Sequence, residues 1–172
     1  MLATRIDIVE TTRSKTVQML NDRLADGIEL MLQAKQAHWN LRGRGFFALH
    51  KLFDEVTAGI SEHVDTIAER IAQLGGHAEG TSWIVSERSQ IEEYPREIVD
   101  CTDHLSALST AIACFTKSCR ESIRVCEDYE DKVTEDIMVS ATRAMDKYLW
   151  LVESNLPVKE TARKQVLSEV KR

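Results

Sequence analysis

The chain is poor in everything that breaks a helix. Its 172 residues include seven glycines and two prolines, too few turn signals for a fold of many short strands, and the fold class reads as all-α. Long apolar runs are also absent. No window approaches the roughly 18 apolar residues that a membrane span requires, and "MLATRIDIVETTRSK" at the N-terminus lacks the apolar centre of a secretion signal. The expected location is the cytoplasm, with no membrane contact. No CxxC spacing occurs. The four cysteines, Cys101, Cys114, Cys119 and Cys126, fall in one expected helix of a chain long enough to bury a core without cross-links, and they read as reduced thiols. An excess of positive charge is missing as well. With 22 Lys and Arg against 28 Asp and Glu, and a formal net charge of −6, a surface that binds nucleic acid broadly is excluded and cations are the better-suited ligands.

What the chain does have is helical periodicity. Val17, Leu20, Leu24, Gly27, Met31 and Ala34 recur three and four residues apart, the spacing of a bundle seam, and the next position on that seam is His38. "RGRG" at Arg42 to Gly45 breaks the first helix. A second is expected from about Phe46 to Leu74 with its seam at Leu49, Phe53, Val56, Ile60, Ile67 and Ile71, ended by Gly75 and Gly76. The stretch from His77 to Pro95 is too long for a plain connection, and "SWIVSERSQIEEY" within it suits a short extra helix in a long crossover. A third helix is expected from about Asp100, with Leu105, Leu108, Ile112, Phe115, Cys119 and Cys126 inward. A fourth is expected with Val133, Ile137, Ala141, Ala144, Tyr148 and Leu151 inward, the break between them lying at "EDYED". The expected organisation is an N-terminal tail over residues 1–14, a four-helix bundle over 15–156, and a basic C-terminal tail over 157–172.

The second helix carries a further stripe beside its core seam: His50, Asp54, Thr57, Ala58, Ser61, Asp65, Ala68 and Glu69. It combines metal-ligand types with small residues that let another helix come close. His50 and Asp54 are one turn apart, as are Asp65 and Glu69, but Asp54 and Asp65 are separated by about 16 Å along the axis. One chain therefore cannot bring all four to one ion. A second copy packed antiparallel across a two-fold near Gly59 and Ile60 would set Asp65 and Glu69 of one subunit opposite His50 and Asp54 of the other. His38 lies a little over one turn before the glycine break and His50 a little over one turn after it, so the two imidazoles should meet. Two imidazoles and three carboxylates suit ferrous iron, and zinc suits the same ligands. The plainer reading of the same residues is a hydrogen-bonded seam histidine and solvated acidic pairs. The Glu-x-x-His pairs of ordinary di-iron bundles are absent. Spacing alone leaves both readings open.

The segments "KQAHWNLRG", "FFALHKLFDE" and "HVDTIAERIAQLGG", followed by "YPREIVD", "DHL" and "DKYLWLVESNLP", closely resemble the Dps family of ferritin-like mini-ferritins, over about Met19 to Pro157. The resemblance implies a hollow dodecamer of ferritin-like four-helix subunits, a ferroxidase that oxidises ferrous iron, preferably with hydrogen peroxide, and stores the ferric product while protecting DNA. It assigns His38, His50 and Asp54 from one subunit and Asp65 and Glu69 from its neighbour to the iron site. It also places the acidic turn before the last helix at pores through which iron enters, with Asp136 the best match and Asp131 second. Trp39 reads as an aromatic packed at the interface, electron supply being the alternative. His63 falls on the core side and reads as structural. The alternative function is a nucleoid-associated protein that coats DNA through basic tails. The C-terminal tail is the better candidate, with Lys159, Arg163, Lys164, Lys171 and Arg172 outnumbering Glu160 and Glu169, though its apolar spacing at Val166, Leu167 and Val170 equally suits docking on a neighbouring subunit.

Overall fold

The computed structural model describes residues 1–157, and the expectations placed on the basic tail beyond Pro157 lie outside the described residues. Among the described residues five helices follow in order: α1 Glu10–Asn40, α2 Phe46–Gln73, α3 Ser82–Arg88, α4 Cys101–Asp128 and α5 Lys132–Glu153. The four long ones form the bundle, α1 packed chiefly on α2 and α4 on α5. The short α3 sits in the crossover against α1. The seams expected on α2 and α4 are buried at every position, with Phe53, Phe115, Ile60 and Ile112 fully enclosed.

Each turn has a local cause. Gly43 and Gly45 adopt φ of +114° and +87°, values that an L side chain resists, and this lets α1 reverse directly into α2. Asp100 caps α4 by accepting a hydrogen bond from the Thr102 amide at 2.7 Å, and Asp131 caps α5 through the Thr134 amide at 3.0 Å. The crossover is held along α1 by buried polar groups. Asn21 donates to the His77 carbonyl and accepts from the Glu79 amide, Gln33 donates to the Glu92 carbonyl, and Asp26 accepts from Ser89 and from the Gln90 amide. Asp26 is fully buried. Burial pushes its carboxyl above the usual range against the opposing pull of the Gln90 amide and Arg23.

Three expectations need correction. The first fourteen residues are not a free tail: α1 begins at Glu10, Leu2 donates to the Gly75 carbonyl at 2.7 Å, and buried Arg13 donates to the Leu74 carbonyl at 2.8 Å. The inner face of α5 is rotated by about one residue from the predicted seam. Thr134, Met138, Ala141, Thr142 and Met145 are buried, Val133 is 58% exposed, and Ile137, Ala144 and Tyr148 flank the core half-buried. The reason is polar pairing. Thr142 donates to the Met138 carbonyl and Thr134 to Asp131, so both threonines enter the core satisfied, where hydropathy alone would have turned them outward.

The third concerns Gly59, placed near the two-fold where a second copy would pack. It instead receives a side chain of its own subunit: a Cβ there would lie 2.5 Å from Tyr148 Cε2. Gly59→Ala is therefore expected to lower stability by about 1–3 kcal/mol through displacement of that ring. Denaturant unfolding of the single variant and of Gly59→Ala with Tyr148→Ala checks this. The penalty should shrink in the second background, and an undiminished penalty would refute the packing argument.

Candidate metal centre

The end of α1 and the start of α2 run antiparallel through the glycine turn, and this brings the two predicted histidines together. The His38 and His50 rings stack with centroids 3.7 Å apart and an interplanar angle of 22°. Each clasps the other's backbone, His38 Nδ1 to the His50 carbonyl at 2.8 Å and His50 Nδ1 to the His38 carbonyl at 2.9 Å. A carbonyl only accepts, so both Nδ1 atoms carry the proton and both Nε2 atoms keep an open lone pair. This is the outer-partner arrangement that orients a histidine for metal binding. Phe46 stacks on the far side of His50 at 5.2 Å.

Asp54, one turn beyond His50, is exposed and pairs with Lys35 of α1 at 2.7 Å. The Lys35 hydrogen bond holds the Asp54 carboxyl below the usual range, with smaller contributions from the charges of Lys35, His38 and His50. Lys35 occupies the carboxylate as a cation already of this chain, and a metal ion at Asp54 would replace it. Asp65 and Glu69 are exposed farther along α2, and among the described residues no three His, Cys, Asp or Glu gather into one metal-binding group. The subunit thus brings together His38 and His50 with Asp54 near them, and leaves Asp65 and Glu69 apart. Of the stripe between, Ala58 and Ser61 are exposed while Thr57 and Ala68 lean inward. Trp39 and Phe47, each 67% exposed, flank the histidine pair, an apolar rim of the sort found at interfaces.

The pore expectation divides. Asp136 is exposed. Asp131 is corrected: it is 3% exposed, its carboxylate pairing with Arg70 at 2.9 Å and accepting from the Thr134 hydroxyl at 2.6 Å. Those contacts turn it into the subunit. Cys119 and Cys126 are buried and unpaired, and burial pushes both thiols up to about 12, which keeps them protonated and inert. His63 is half-buried with its pKa lowered by desolvation. Sequence reasoning missed Lys35, Phe46 and the carbonyl clasp. Lys35 stands 19 residues from Asp54, so only the helix pairing relates them.

The family described as ferritin-like domain matches residues 17–158. The DNA protection during starvation protein of Agrobacterium fabrum is 38% identical over 156 residues, spanning 91% of this chain and 96% of that one. Among solved structures, the tetragonal form of Mycobacterium smegmatis Dps superposes with a TM-score of 0.86 at 27% identity, over 91% of this chain and 95% of that one. Dps from Microbacterium arborescens in the high iron form superposes with a TM-score of 0.80 at 26% identity, over 90% and 97%. A four-helix bundle with a short crossover helix, matched over nearly its whole length by these proteins, makes this chain a member of the Dps family of ferritin-like proteins.

Proposed function

We propose that the protein binds ferrous iron at sites shared between two subunits, oxidises it with hydrogen peroxide, and stores the ferric product inside a closed homo-oligomer, a dodecamer of such subunits, so that DNA is spared oxidative damage. The observation that carries this reading is the pair of stacked histidines with both Nδ1 atoms held by carbonyls, leaving two Nε2 lone pairs beside Asp54. Imidazole nitrogen and carboxylate oxygen suit ferrous iron, and the same ligands suit zinc. The high iron form of a related Dps supports iron as the cargo. Asp65 and Glu69 lie too far along α2 to join that pair within one subunit, about 16 Å from Asp54 to Asp65. A second copy with its α2 antiparallel supplies them, and exposed Trp39 and Phe47 beside the histidines become buried in that contact.

In this site the two imidazoles hold the cation, the carboxylates balance its charge, and Lys35 is released from Asp54 as iron binds. Two ferrous ions supply the two electrons that reduce one peroxide to water, so no hydroxyl radical leaves the reaction. Anaerobic loading with ferrous iron followed by one peroxide per two irons tests the reading. Fast ferric absorbance is expected in the native protein and is expected to be lost in His50→Ala with Asp54→Ala. Equal traces from both would remove these residues from the oxidation site.

DNA coating is the second reading, favoured by the basic residues concentrated after Pro157 in a chain of net charge −6. Repeated over an assembly such tails act by avidity. Gel retardation that weakens with rising salt is expected for the full chain and not for a chain ending at residue 157. Equal retardation of both would exclude the tail, and no retardation at low salt would exclude DNA binding.

A further inference from the structure

The crossover and α4 hold a second buried constellation that the iron site does not use. The Tyr94 hydroxyl, in the crossover, meets His104 Nδ1 of α4 at 2.6 Å, and since the phenol has no other acceptor among the described residues, it donates there. Tyr94 is 9% exposed and His104 1% exposed. With Nδ1 accepting, the His104 proton sits on Nε2, and that atom has no hydrogen-bond partner among the described residues. Desolvation holds the His104 pKa below the usual imidazole range, so the ring rests neutral, and the Asp103 charge with the Asn40 and Ile98 carbonyls near the ring offsets part of that cost when it takes a proton. Asn40 is two residues beyond His38, about 3 Å along α1, so the His104 ring meets the end of the helix that carries the candidate iron ligand. The Arg42 to Val99 and Cys101 to Arg42 backbone bonds, 2.9 and 3.2 Å, tie the same corner together.

We infer that Tyr94 and His104 form a proton-coupled redox relay for the iron site: Tyr94 supplies one electron to an oxidant formed there while its phenolic proton moves along the existing hydrogen bond to His104. The inference rests on the iron reading above. It applies when peroxide meets a single ferrous ion, which gives ferric iron, hydroxide and a hydroxyl radical. The radical then takes an electron from Tyr94 and becomes hydroxide. The phenolic O–H bond breaks, an N–H bond forms at His104 Nδ1, and a neutral phenoxyl remains beside an imidazolium. A second ferrous ion returns the electron, the proton returns from His104 to oxygen, and the sum is two ferrous ions oxidised per peroxide. Burial pushes the Tyr94 phenol up, well out of reach of ionisation at neutral pH, so its electron leaves only together with its proton, and a base already in hydrogen-bond contact is what that step needs.

The chain has three tyrosines, Tyr94, Tyr129 and Tyr148, so the radical is assignable. The protein is loaded with less than one ferrous ion per site, mixed with peroxide and freeze-quenched for electron paramagnetic resonance, with ring-deuterated tyrosine to identify phenoxyl, while ferric absorbance is followed in parallel. The expected result is a phenoxyl signal in the native protein, Tyr129→Phe and Tyr148→Phe, its loss in Tyr94→Phe, and a several-fold rise in spin-trapped hydroxyl radical in that variant. In His104→Asn, whose amide oxygen accepts the hydrogen bond but takes no proton, the phenoxyl yield is expected to fall. In the native protein, phenoxyl formation is expected to slow in deuterium oxide, a readout that needs no substitution. Ferric absorbance without phenoxyl at Tyr94, or a radical carried by Trp39 instead, overturns this inference alone. An unchanged yield in His104→Asn overturns the role of the histidine. Absence of ferric absorbance overturns the iron reading and this inference with it.

Discussion

Two inactive variants are expected to recover iron oxidation when assembled together. His50→Ala with Asp54→Ala removes one half of each proposed shared site, and Asp65→Ala with Glu69→Ala removes the other. Either variant alone should lose about 100-fold or more in the rate of ferric absorbance after peroxide, more than the loss of a ligand's outer partner costs. In a mixed dimer one site lacks both halves. The other combines intact His38, His50 and Asp54 from one subunit with intact Asp65 and Glu69 from its neighbour, so half of the sites in mixed dimers are whole. Co-expression with two distinguishable tags, isolation of the mixed species and the peroxide assay provide the test. No recovery in verified mixed dimers would show that the five residues do not form one site across the interface, whatever else they bind. The residues themselves tolerate removal in the fold: Asp54, Asp65 and Glu69 are exposed and His50 is half-buried, so thermal midpoints should change little.

The largest stability effect is expected at Arg70. Its guanidinium is 5% exposed, pairs with Asp131 at 2.9 Å and donates to the Thr134 hydroxyl at 2.9 Å. Arg70→Ala leaves the Asp131 carboxylate buried without its partner, which costs about 3–5 kcal/mol when a buried pair is broken from one side. For a chain of this size that corresponds to a fall of about 10 °C in Tm. Adding Asp131→Asn to Arg70→Ala removes the stranded charge and should restore part of the loss, since the amide oxygen still caps α5. Asp136→Asn, on the exposed side of the same helix, should leave stability within about 0.5 kcal/mol. Calorimetry on the four proteins decides: a small effect at Arg70 would mean that the pair contributes little, and Asp131 would then be open again to a role outside the subunit.

The seams of α2 and α4 were legible because each inward position is apolar and the period is unbroken. The seam of α5 was not, because Thr134 and Thr142 reach the core through hydrogen bonds that hydropathy does not register. The same limit applies at Gly59, whose missing side chain marks a close approach without saying by what, and the answer is Tyr148. Asp131 and Asp136 look alike in "YEDKVTED", yet one is a buried cap paired with Arg70, 61 residues earlier, and the other faces outward. The histidines were legible as neighbours from the turn between them. Their reciprocal carbonyl clasp, which decides the tautomer and frees both Nε2 atoms, was not.

By itself, the order of residues determined the helices, the glycine turn and the set of five ligand-type side chains, since these depend on local spacing and on backbone conformation at single glycines. Only the tertiary structure decided which polar residues are paired inside and which are left facing outward: Asp131 with Arg70, Asp54 with Lys35, Tyr94 with His104. The partners in two of these pairs are tens of residues apart or stand on different helices, and in all three the side chain's role depends on burial and on what faces it. No local pattern carries that information.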